Sequence, residues 1–241
     1  KLVAENVTGF PVVPTMVALL LQMENFSKFD FSSLRYITNT AAAFPVPYIH
    51  KLQTILPRHT KIFSMYGLTE CKRVSYLPPE FLDSKPQSVG IPMPNIEAVI
   101  LNEKGFEAAA GEIGELVVRG ASVMAGYWND AQETGKIFRA GRYPAERLLY
   151  TQDYFKKDEE GFLYFIARKD NLIKTRGERV SPREIEDVLC ELEDVVEAAV
   201  VGVSDEILGQ AIKAFIITRA PESSDEKKIL NHCRKNLEPF M

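Results

Sequence analysis

Strand-like and helix-like segments alternate over the first 66 residues, and this alternation constrains the fold more than any other feature. The apolar run Val7–Val13 is typical of a buried strand, and Pro14 suits the first turn of a helix that extends to about Met23. Leu34–Thr38 and Lys61–Met65 are two further short strands. The helix between them has four apolar residues on one face: Ile49, Leu52, Ile55 and Leu56. Strands and helices that alternate on this scale predict a parallel sheet.

The pattern changes near Pro92. From residue 97 to residue 165, short strands are separated by turn residues, and Asn102–Gly105 and Asp158–Gly161 each supply a glycine for a hairpin turn. The one helix expected in this part covers Asp130–Phe138. This part of the chain is therefore predicted to be a mostly β module.

The last part of the chain reads as a small α+β lobe. Ser181–Glu184 forms a capping box with proline at the first helical position, which predicts the start of a helix. Strands are expected over Val195–Val203 and Ala211–Thr218, and Ser223–Glu226 is a second capping box. The predicted domains are residues 1–90 (α/β), 91–167 (mostly β) and 168–241 (α+β).

Composition narrows the class of protein. Hydrophobic residues make up 46% of the 241-residue chain, enough for a sizeable core, and the net charge of −4 argues against nucleic-acid binding. No apolar run approaches the roughly 20 residues that cross a bilayer. The three cysteines have no metal-like spacing, so we expect a cytoplasmic protein with free thiols.

The first candidate site is Tyr66-Gly67-Leu68-Thr69-Glu70, directly after a predicted parallel strand. Loops at the carboxyl ends of such strands face the crevice where open α/β sheets bind ligands. An aromatic face can stack on a base, the threonine can donate to phosphate, and the carboxylate can bind Mg²⁺. The alternative is a plain turn with a solvated glutamate.

Two further groups of residues carry similar ambiguity. Asp153 can accept hydrogen bonds from both ribose hydroxyls and Arg168 can donate to the same sugar or its phosphate, but the two could equally form a surface ion pair. The cationic segment Arg168–Arg179 could bind phosphates, or it could be a solvated linker between lobes.

Together these segments resemble the adenylate-forming (AMP-binding) superfamily of the acyl-CoA synthetase type. The matching motifs follow the family order: Val13-Pro14-Thr15, Tyr66–Glu70, Gly114-Glu115-Leu116 through Gly120, Gly126-Tyr127-Trp128, Tyr150–Asp153, and Ala167–Val180. The resemblance implies the C-terminal part of the family's large domain, made of a parallel-sheet segment and a β-barrel-like module, followed by a mobile lobe.

The resemblance also implies an activity. The family activates a carboxylic acid with ATP and Mg²⁺ to an acyl-adenylate, then transfers the acyl group to CoA or a phosphopantetheine carrier, as in fatty acid metabolism. The implied partners are a small carboxylic acid and an acyl carrier protein, with a homodimer left open. The alternatives are a non-catalytic relative that binds nucleotide or acyl-adenylate, a subunit completed by another chain, and a plain interaction domain.

Residue roles follow from the same resemblance. Tyr66 would stack on adenine, Glu70 would bind Mg²⁺, and Asp153 would bind the ribose. The other residues implied to contact the nucleotide are Ala41, Ala42, Ser64, Met65, Gly67, Leu68, Thr69, Arg168 and Arg179. The implied hinge is Asp170, and Lys174 and Gly177 would serve the thiol-dependent step.

The sequence departs from the family pattern in several places. The family has glycine at the positions of Ala41, Ala42 and Gln152. Trp128, which lies within a matching motif, is predicted to be a packing anchor rather than a binding platform. The family's N-terminal phosphate loop and its C-terminal catalytic lysine are both expected outside these 241 residues. We therefore expect a partial chain that is inactive by itself.

Overall fold

The computed structural model describes residues 1–39, 44–219 and 225–241. The chain divides into two compact units, Lys1–Phe165 and Ile166–Met241. Each unit has its own hydrophobic core.

The first unit begins with a five-stranded sheet. Its strands are β1 (Gly9–Val12), β2 (Tyr36–Asn39), β3 (Lys61–Tyr66), β4 (Ser75–Tyr76) and β5 (Ile91–Pro92), in that order. The first three strands are parallel, as the alternating sequence pattern predicts. The two short strands β4 and β5 are antiparallel additions that the sequence did not indicate.

Two helices follow the parallel strands and supply much of the first core. The helix α1 (Pro14–Gln22) has proline at its start, and α2 (Val46–Ile55) buries Ile49 and Leu52. The predicted apolar face of α2 is confirmed, and Leu56 just after it is also buried. Burial of this face, at about 1.5–3 kcal/mol per large aliphatic side chain, offsets the absence of a side-chain cap at either helix N-terminus.

A second sheet completes the first unit. Its elements are β6 (Ile96–Leu101), β7 (Gly114–Gly120), α3 (Ala131–Ile137), β8 (Phe138–Ala140), β9 (Arg147–Lys157) and β10 (Leu163–Arg168). The last three residues of β10 already belong to the second unit. The strand order is β10-β9-β7-β6, with β8 beside β9. Gly105 and Gly161 have φ of 79° and 84°, so both predicted turns use a glycine in the left-handed region.

The second unit is the expected α+β lobe. Its elements are β11 (Ile173–Thr175), β12 (Glu178–Val180), α4 (Pro182–Cys190), β13 (Val195–Asp205), β14 (Gly209–Thr218) and α5 (Glu226–Asn236). The antiparallel strands are ordered β12-β11-β14-β13. The core joins Ile173 and Val200 of the sheet to Ile185 and Leu189 of α4.

Both predicted capping boxes need correction. Ser181 makes no side-chain cap at α4; its hydroxyl instead donates to the Ile166 carbonyl at 2.6 Å. The N-cap of α5 is Asp225, whose carboxylate accepts from the Lys227 amide, while Ser223 lies outside the described residues. The Ser181 hydroxyl is thus engaged by another acceptor, and an aspartate rather than a serine caps α5.

Trp128 is not the packing anchor that the sequence predicted, because 92% of its surface is exposed. Its neighbour Tyr127 packs on the core instead. Among the residues described, no helix is both long and apolar enough to span a membrane.

Candidate functional site

The candidate site is built around Tyr66, the last residue of β3. The Tyr66 hydroxyl donates a 2.6 Å hydrogen bond to Asp153 Oδ2 on β9. The phenol ring meets Phe155 edge-on at 4.8 Å between centroids, and lies roughly parallel to Phe165 at 6.4 Å. These contacts fix both the plane of the ring and the direction of its hydroxyl.

Burial keeps this hydroxyl in its donor form. Removal from water, followed by the charge of Asp153, raises the pKa of Tyr66 above its ordinary value. The phenol therefore stays protonated near neutral pH. The phenol hydroxyl is therefore the donor of this bond and Asp153 Oδ2 is the acceptor.

Asp153 lies at an irregularity in the pairing of β7 with β9. The register shifts between Glu115 and Val117, which leaves residues 151–153 opposite a single residue of β7. The Asp153 amide donates to Thr151 Oγ1, and Asp153 is only 2% exposed. Such a bulge turns a side chain out of the regular pleat, here toward the end of β3.

Gln152 shows what this bulge requires of the backbone. Its φ is 59°, in the left-handed region that favours glycine, and its amide donates to Glu115 Oε1 at 3.1 Å. The resemblance placed a glycine here. The chain therefore keeps the backbone conformation that glycine would adopt, at some cost in strain.

The loop after Tyr66 folds back on itself. The Lys72 amide donates to the Leu68 carbonyl at 2.7 Å, and the Val74 amide donates to the Tyr66 carbonyl at 2.9 Å. A Cβ added to Gly67 would lie 1.9 Å from the Lys72 carbonyl oxygen. Only glycine fits at this close approach of backbone to backbone.

Glu70 is held from two directions within this loop. Its carbonyl accepts from the Met124 amide at 2.8 Å, and its carboxylate Oε1 accepts from the Tyr127 hydroxyl at 2.5 Å. Burial and the Glu70 charge raise the pKa of Tyr127 to about 12, so the phenol is the donor near neutral pH. Burial and the same charge raise the pKa of the adjacent Cys71 thiol to about 12.

The remaining predicted residues of the first unit lie on β3 or in its loop. Ser64 is buried, Met65 and Leu68 are half-buried, and Thr69 is exposed. Ala41 and Ala42 lie outside the described residues. The loop therefore presents one exposed hydroxyl next to the carboxylate of Glu70.

The second unit carries the other predicted residues. Lys174 of β11 is exposed and pairs in register with Arg179 of β12. The turn between these strands is Arg176-Gly177, with φ of 53° and 84°. Positive φ at both central residues is the signature of a two-residue type I′ hairpin turn.

Asp170 and Arg168 lie near the start of the second unit and are exposed. Asp170 belongs to the single helical turn Lys169–Asn171, which precedes β11. Asp153 belongs to the first unit, so the two ribose candidates Asp153 and Arg168 lie in different units.

Sequence reasoning missed the part played by Tyr127 and by the two phenylalanines beside Tyr66. Tyr127 carried a usable signal, because it lies in the Gly126-Tyr127 pair of a family motif. Phe155 and Phe165 gave no such signal beyond their place in apolar strands.

The donor set around Glu70 limits what metal it could hold. Among the described residues, no three His, Cys, Asp or Glu side chains cluster to form a metal cage. A single carboxylate suits Mg²⁺, which keeps several waters and shares its shell with phosphate oxygens. A cavity of about 510 Å³ opens beside Met124, and it is lined by none of the predicted nucleotide-contacting residues.

The sequence was compared with known protein families. Residues 1–128 match the family described as AMP-binding enzyme, which is more than half of the chain. The chain belongs to the AMP-binding enzyme family. Residues 184–241 match the C-terminal domain of the same enzymes, so the match extends to the second unit.

Relatives in this family resemble nearly the whole chain. The long-chain-fatty-acid–CoA ligase of Bacillus subtilis is 35% identical over 234 residues, which cover 97% of this chain and 40% of that ligase. The chain thus spans about 40% of the length of the curated relative.

Solved structures of the family share the fold. The amide bond synthetase McbA from Marinactinospora thermotolerans matches with a TM-score of 0.89 and 26% identity, over 99% of this chain and 47% of McbA. The o-succinylbenzoate CoA synthetase MenE from Bacillus subtilis, solved with its acyl-adenylate intermediate, matches with a TM-score of 0.84 and 30% identity. That match covers 99% of this chain and 46% of MenE, which has also been solved with ATP and magnesium ion.

Proposed function

We propose that this chain is part of an AMP-forming acid–thiol ligase of the acyl-CoA synthetase type. The observation that carries the proposal is the joining of Tyr66 to Asp153 at the carboxyl end of a parallel strand, beside the loop that holds Glu70. Family membership and the names of the similar proteins support the same activity.

The first unit would bind the adenosine and the α-phosphate. The Tyr66 ring would face adenine, Asp153 would accept from the ribose hydroxyls, and Thr69 would donate to a phosphate oxygen. Backbone groups of Ser64–Leu68 would lie beside the base and phosphates, and Ala41 and Ala42 are the other nucleotide contacts proposed for this unit. Because Asp153 is buried, ribose binding requires side chains around it to move.

Glu70 would hold Mg²⁺ together with the phosphates. The fit rests on its hard carboxylate oxygens, which are the ligand type that Mg²⁺ prefers. When bound, the ion neutralises charge on the phosphate oxygens. The exposed Thr69 hydroxyl, next in sequence, would add a neutral donor at the same place.

The reaction proposed has two displacements. A carboxylate oxygen attacks the α-phosphorus of ATP, and the bond to pyrophosphate breaks to leave an acyl-adenylate. A thiolate, its proton lost to solvent, then attacks the acyl carbon and AMP leaves. The protein forms no covalent bond to the substrate in either step, so positioning and electrostatic stabilisation would account for most of the rate enhancement.

The second unit would serve both steps by turning about Asp170. Arg168 and Arg179 would face phosphate or ribose, and Lys174 with Gly177 would lie on the face used for the thiol step. The charged side chains of Arg168, Asp170 and Lys174 are exposed. A charged surface suits a lobe that packs in a different orientation in each of the two reaction steps.

For the substrate, we propose a long-chain fatty acid with CoA as acceptor, from the name of the ligase that is 35% identical. A carrier-protein thiol is the second acceptor to test. An amine acceptor is the third, because an amide bond synthetase shares the fold at a TM-score of 0.89. Magnesium, ATP and the acid are shared by all three.

The adenylate site is tested by calorimetry on the 241-residue chain with a nonhydrolysable long-chain acyl sulfamoyladenosine. Loss of charge-assisted bonds in Asp153→Asn should weaken binding by about tenfold or more. Loss of stacking in Tyr66→Ala should weaken it by about five- to 100-fold. Glu24→Gln, an exposed carboxylate in the same unit, is the matched control and should bind as the wild type does.

Equal binding by all four proteins would remove the nucleotide-site assignment. Pyrophosphate exchange with a panel of carboxylic acids then separates a ligase from a non-catalytic binder. We expect the 241 residues to bind adenylate without exchange, since the family's phosphate loop and catalytic lysine are expected elsewhere. Exchange by this chain alone would contradict that expectation.

A further inference from the structure

The hydrogen bond between Tyr127 and Glu70 joins two parts of the chain that are 57 positions apart. The hydroxyl-to-carboxylate distance is 2.5 Å, within the range of a charge-assisted bond between a hydroxyl and a carboxylate. A second bond, from the Met124 amide to the Glu70 carbonyl, fixes the backbone of the same residue. The segment that ends in Tyr127 therefore holds both the main chain and the side chain of Glu70.

Tyr127 is itself held firmly. Its amide donates to Thr134 Oγ1 at 2.9 Å, and that hydroxyl donates to the Asp130 carbonyl at 2.7 Å, at the start of α3. The ring meets Phe138 edge-on at 6.3 Å between centroids. A Cβ on Gly126 would lie 2.6 Å from Thr134 Cγ2, so the close approach to α3 needs glycine.

These contacts give the phenol a fixed position from which to orient a carboxylate. Engaging Oε1 restricts rotation of the carboxyl group about its last torsion, which is otherwise broad. The restriction also fixes where Oε2 points. A carboxylate that is aligned before a cation arrives loses less conformational freedom on binding it.

We propose that Tyr127 is a positioning residue that holds Glu70 in the orientation in which it binds the magnesium ion of the ATP complex. The inference rests on the proposed function, in which Glu70 is the metal ligand. In this role Tyr127 would act through Glu70 and would not itself be a ligand of the metal. Outer partners of this kind typically change metal affinity by about 10- to 100-fold when removed.

The test uses Mn²⁺ as a spectroscopic substitute for Mg²⁺. Electron paramagnetic resonance titration measures the Kd of Mn²⁺ for the chain saturated with α,β-methylene-ATP. We expect Tyr127→Phe to raise this Kd by about tenfold and Glu70→Gln to raise it further. Tyr143→Phe removes a phenol hydroxyl from an exposed side chain and should leave the Kd unchanged.

Three further measurements separate positioning from general damage. Binding of the acyl sulfamoyladenosine without divalent metal should be the same in Tyr127→Phe and the wild type, and thermal unfolding checks that the variant is folded. In Glu70→Asp the shorter side chain withdraws from the phenol. Adding Tyr127→Phe to Glu70→Asp should then cause little further loss, because the two residues act as one unit.

The outcomes distinguish the two proposals. A wild-type Mn²⁺ Kd in Tyr127→Phe, with a raised Kd in Glu70→Gln, would overturn the positioning role and leave the proposed function standing. An unchanged Kd in both variants would remove Glu70 as the metal ligand and Tyr127 with it. Failure of the wild-type chain to bind Mn²⁺ with the nucleotide would overturn both proposals.

Discussion

The Tyr66 hydroxyl lies 2.6 Å from Asp153 Oδ2, although 87 positions separate the two residues in the chain. Tyr66 ends β3 of the first sheet and Asp153 lies in β9 of the second. The bond therefore connects the two sheets of the first unit at the candidate site. Any change in the packing of one sheet against the other reaches this pair of side chains.

Removing this hydroxyl should lower stability more than an ordinary surface change would. Tyr66→Phe keeps the ring contact with Phe155 but takes the donor away from a buried carboxylate. We expect the free energy of unfolding to fall by about 1–3 kcal/mol, measured by urea denaturation. Tyr143→Phe, at an exposed position, should change it by less than about 0.5 kcal/mol. Equal effects of the two substitutions would show that the buried bond contributes nothing.

Much of the fold could be predicted because it depends on local patterns. The apolar face of α2 and the turn glycines Gly105 and Gly161 are encoded by neighbours in sequence. The cap of α4 could not be predicted in the same way. The Ser181 hydroxyl donates instead to the Ile166 carbonyl, fifteen positions away. The residues around Ser181 in sequence do not predict that this distant carbonyl would accept its hydrogen bond.

The candidate site likewise has a part that local sequence predicts and a part that depends on distant contacts. Residue types alone make the Tyr66–Glu70 loop and Asp153 separate candidates, and the resemblance assigns both to one nucleotide site. The contact between Tyr66 and Asp153 depends on the register shift between Glu115 and Val117 in the pairing of β7 with β9. Such a shift is set by how two distant strands pair, so the local sequence does not predict it. The exposure of Trp128 likewise depends on how the segment before α3 is turned, since Tyr127 takes the inward position.

Gly67 should not tolerate a side chain. In Gly67→Ala the new Cβ would lie 1.9 Å from the Lys72 carbonyl oxygen, so the loop must shift, at an expected cost of about 1–3 kcal/mol in the free energy of unfolding. Adenylate affinity should fall as well, because Thr69 and Glu70 share the loop. Gly135→Ala in α3 meets nothing within 4 Å and should instead stabilise by about 0.5–1 kcal/mol. Similar urea midpoints for the two variants would contradict this reading of the loop.

Gln152 offers a substitution that should raise stability. Its φ of 59° costs an L-residue about 1–2 kcal/mol, whereas glycine adopts the conformation freely but loses more chain entropy on folding. Gln152→Gly should therefore raise the free energy of unfolding by up to about 1 kcal/mol. Gln152→Ala keeps the strain and should give no gain. A gain of equal size in the alanine variant would attribute the effect to the lost side chain rather than to the backbone.

Stability in acid should depend on Lys85. Its ammonium lies 2.6 Å from both Asp158 Oδ2 and Glu160 Oε2, and 4.7 Å from the centroid of the Phe162 ring. Burial acts to raise the pKa of Asp158, but hydrogen bonds from Lys85, the Phe162 amide and the Tyr164 hydroxyl together lower it below its ordinary value. A carboxyl group with a lowered pKa stabilises the fold above its unfolded pKa of about 3.9, and this contribution is lost as the pH falls through the folded value.

Lys85→Met should accordingly lower the midpoint of thermal unfolding at pH 7, and the deficit should shrink below about pH 4 as Asp158 is protonated in the wild type. The same bonds raise the pKa of Lys85, so its ammonium stays protonated from pH 7 to pH 3, and the pH dependence of the deficit comes from Asp158. Scanning calorimetry from pH 7 to pH 3 measures the deficit at each step. Lys51→Met, at an exposed position on α2, should show no deficit at any pH. A Lys85→Met deficit that stays constant down to pH 3 would mean that packing on Phe162, rather than the charge of Asp158, accounts for the stabilisation.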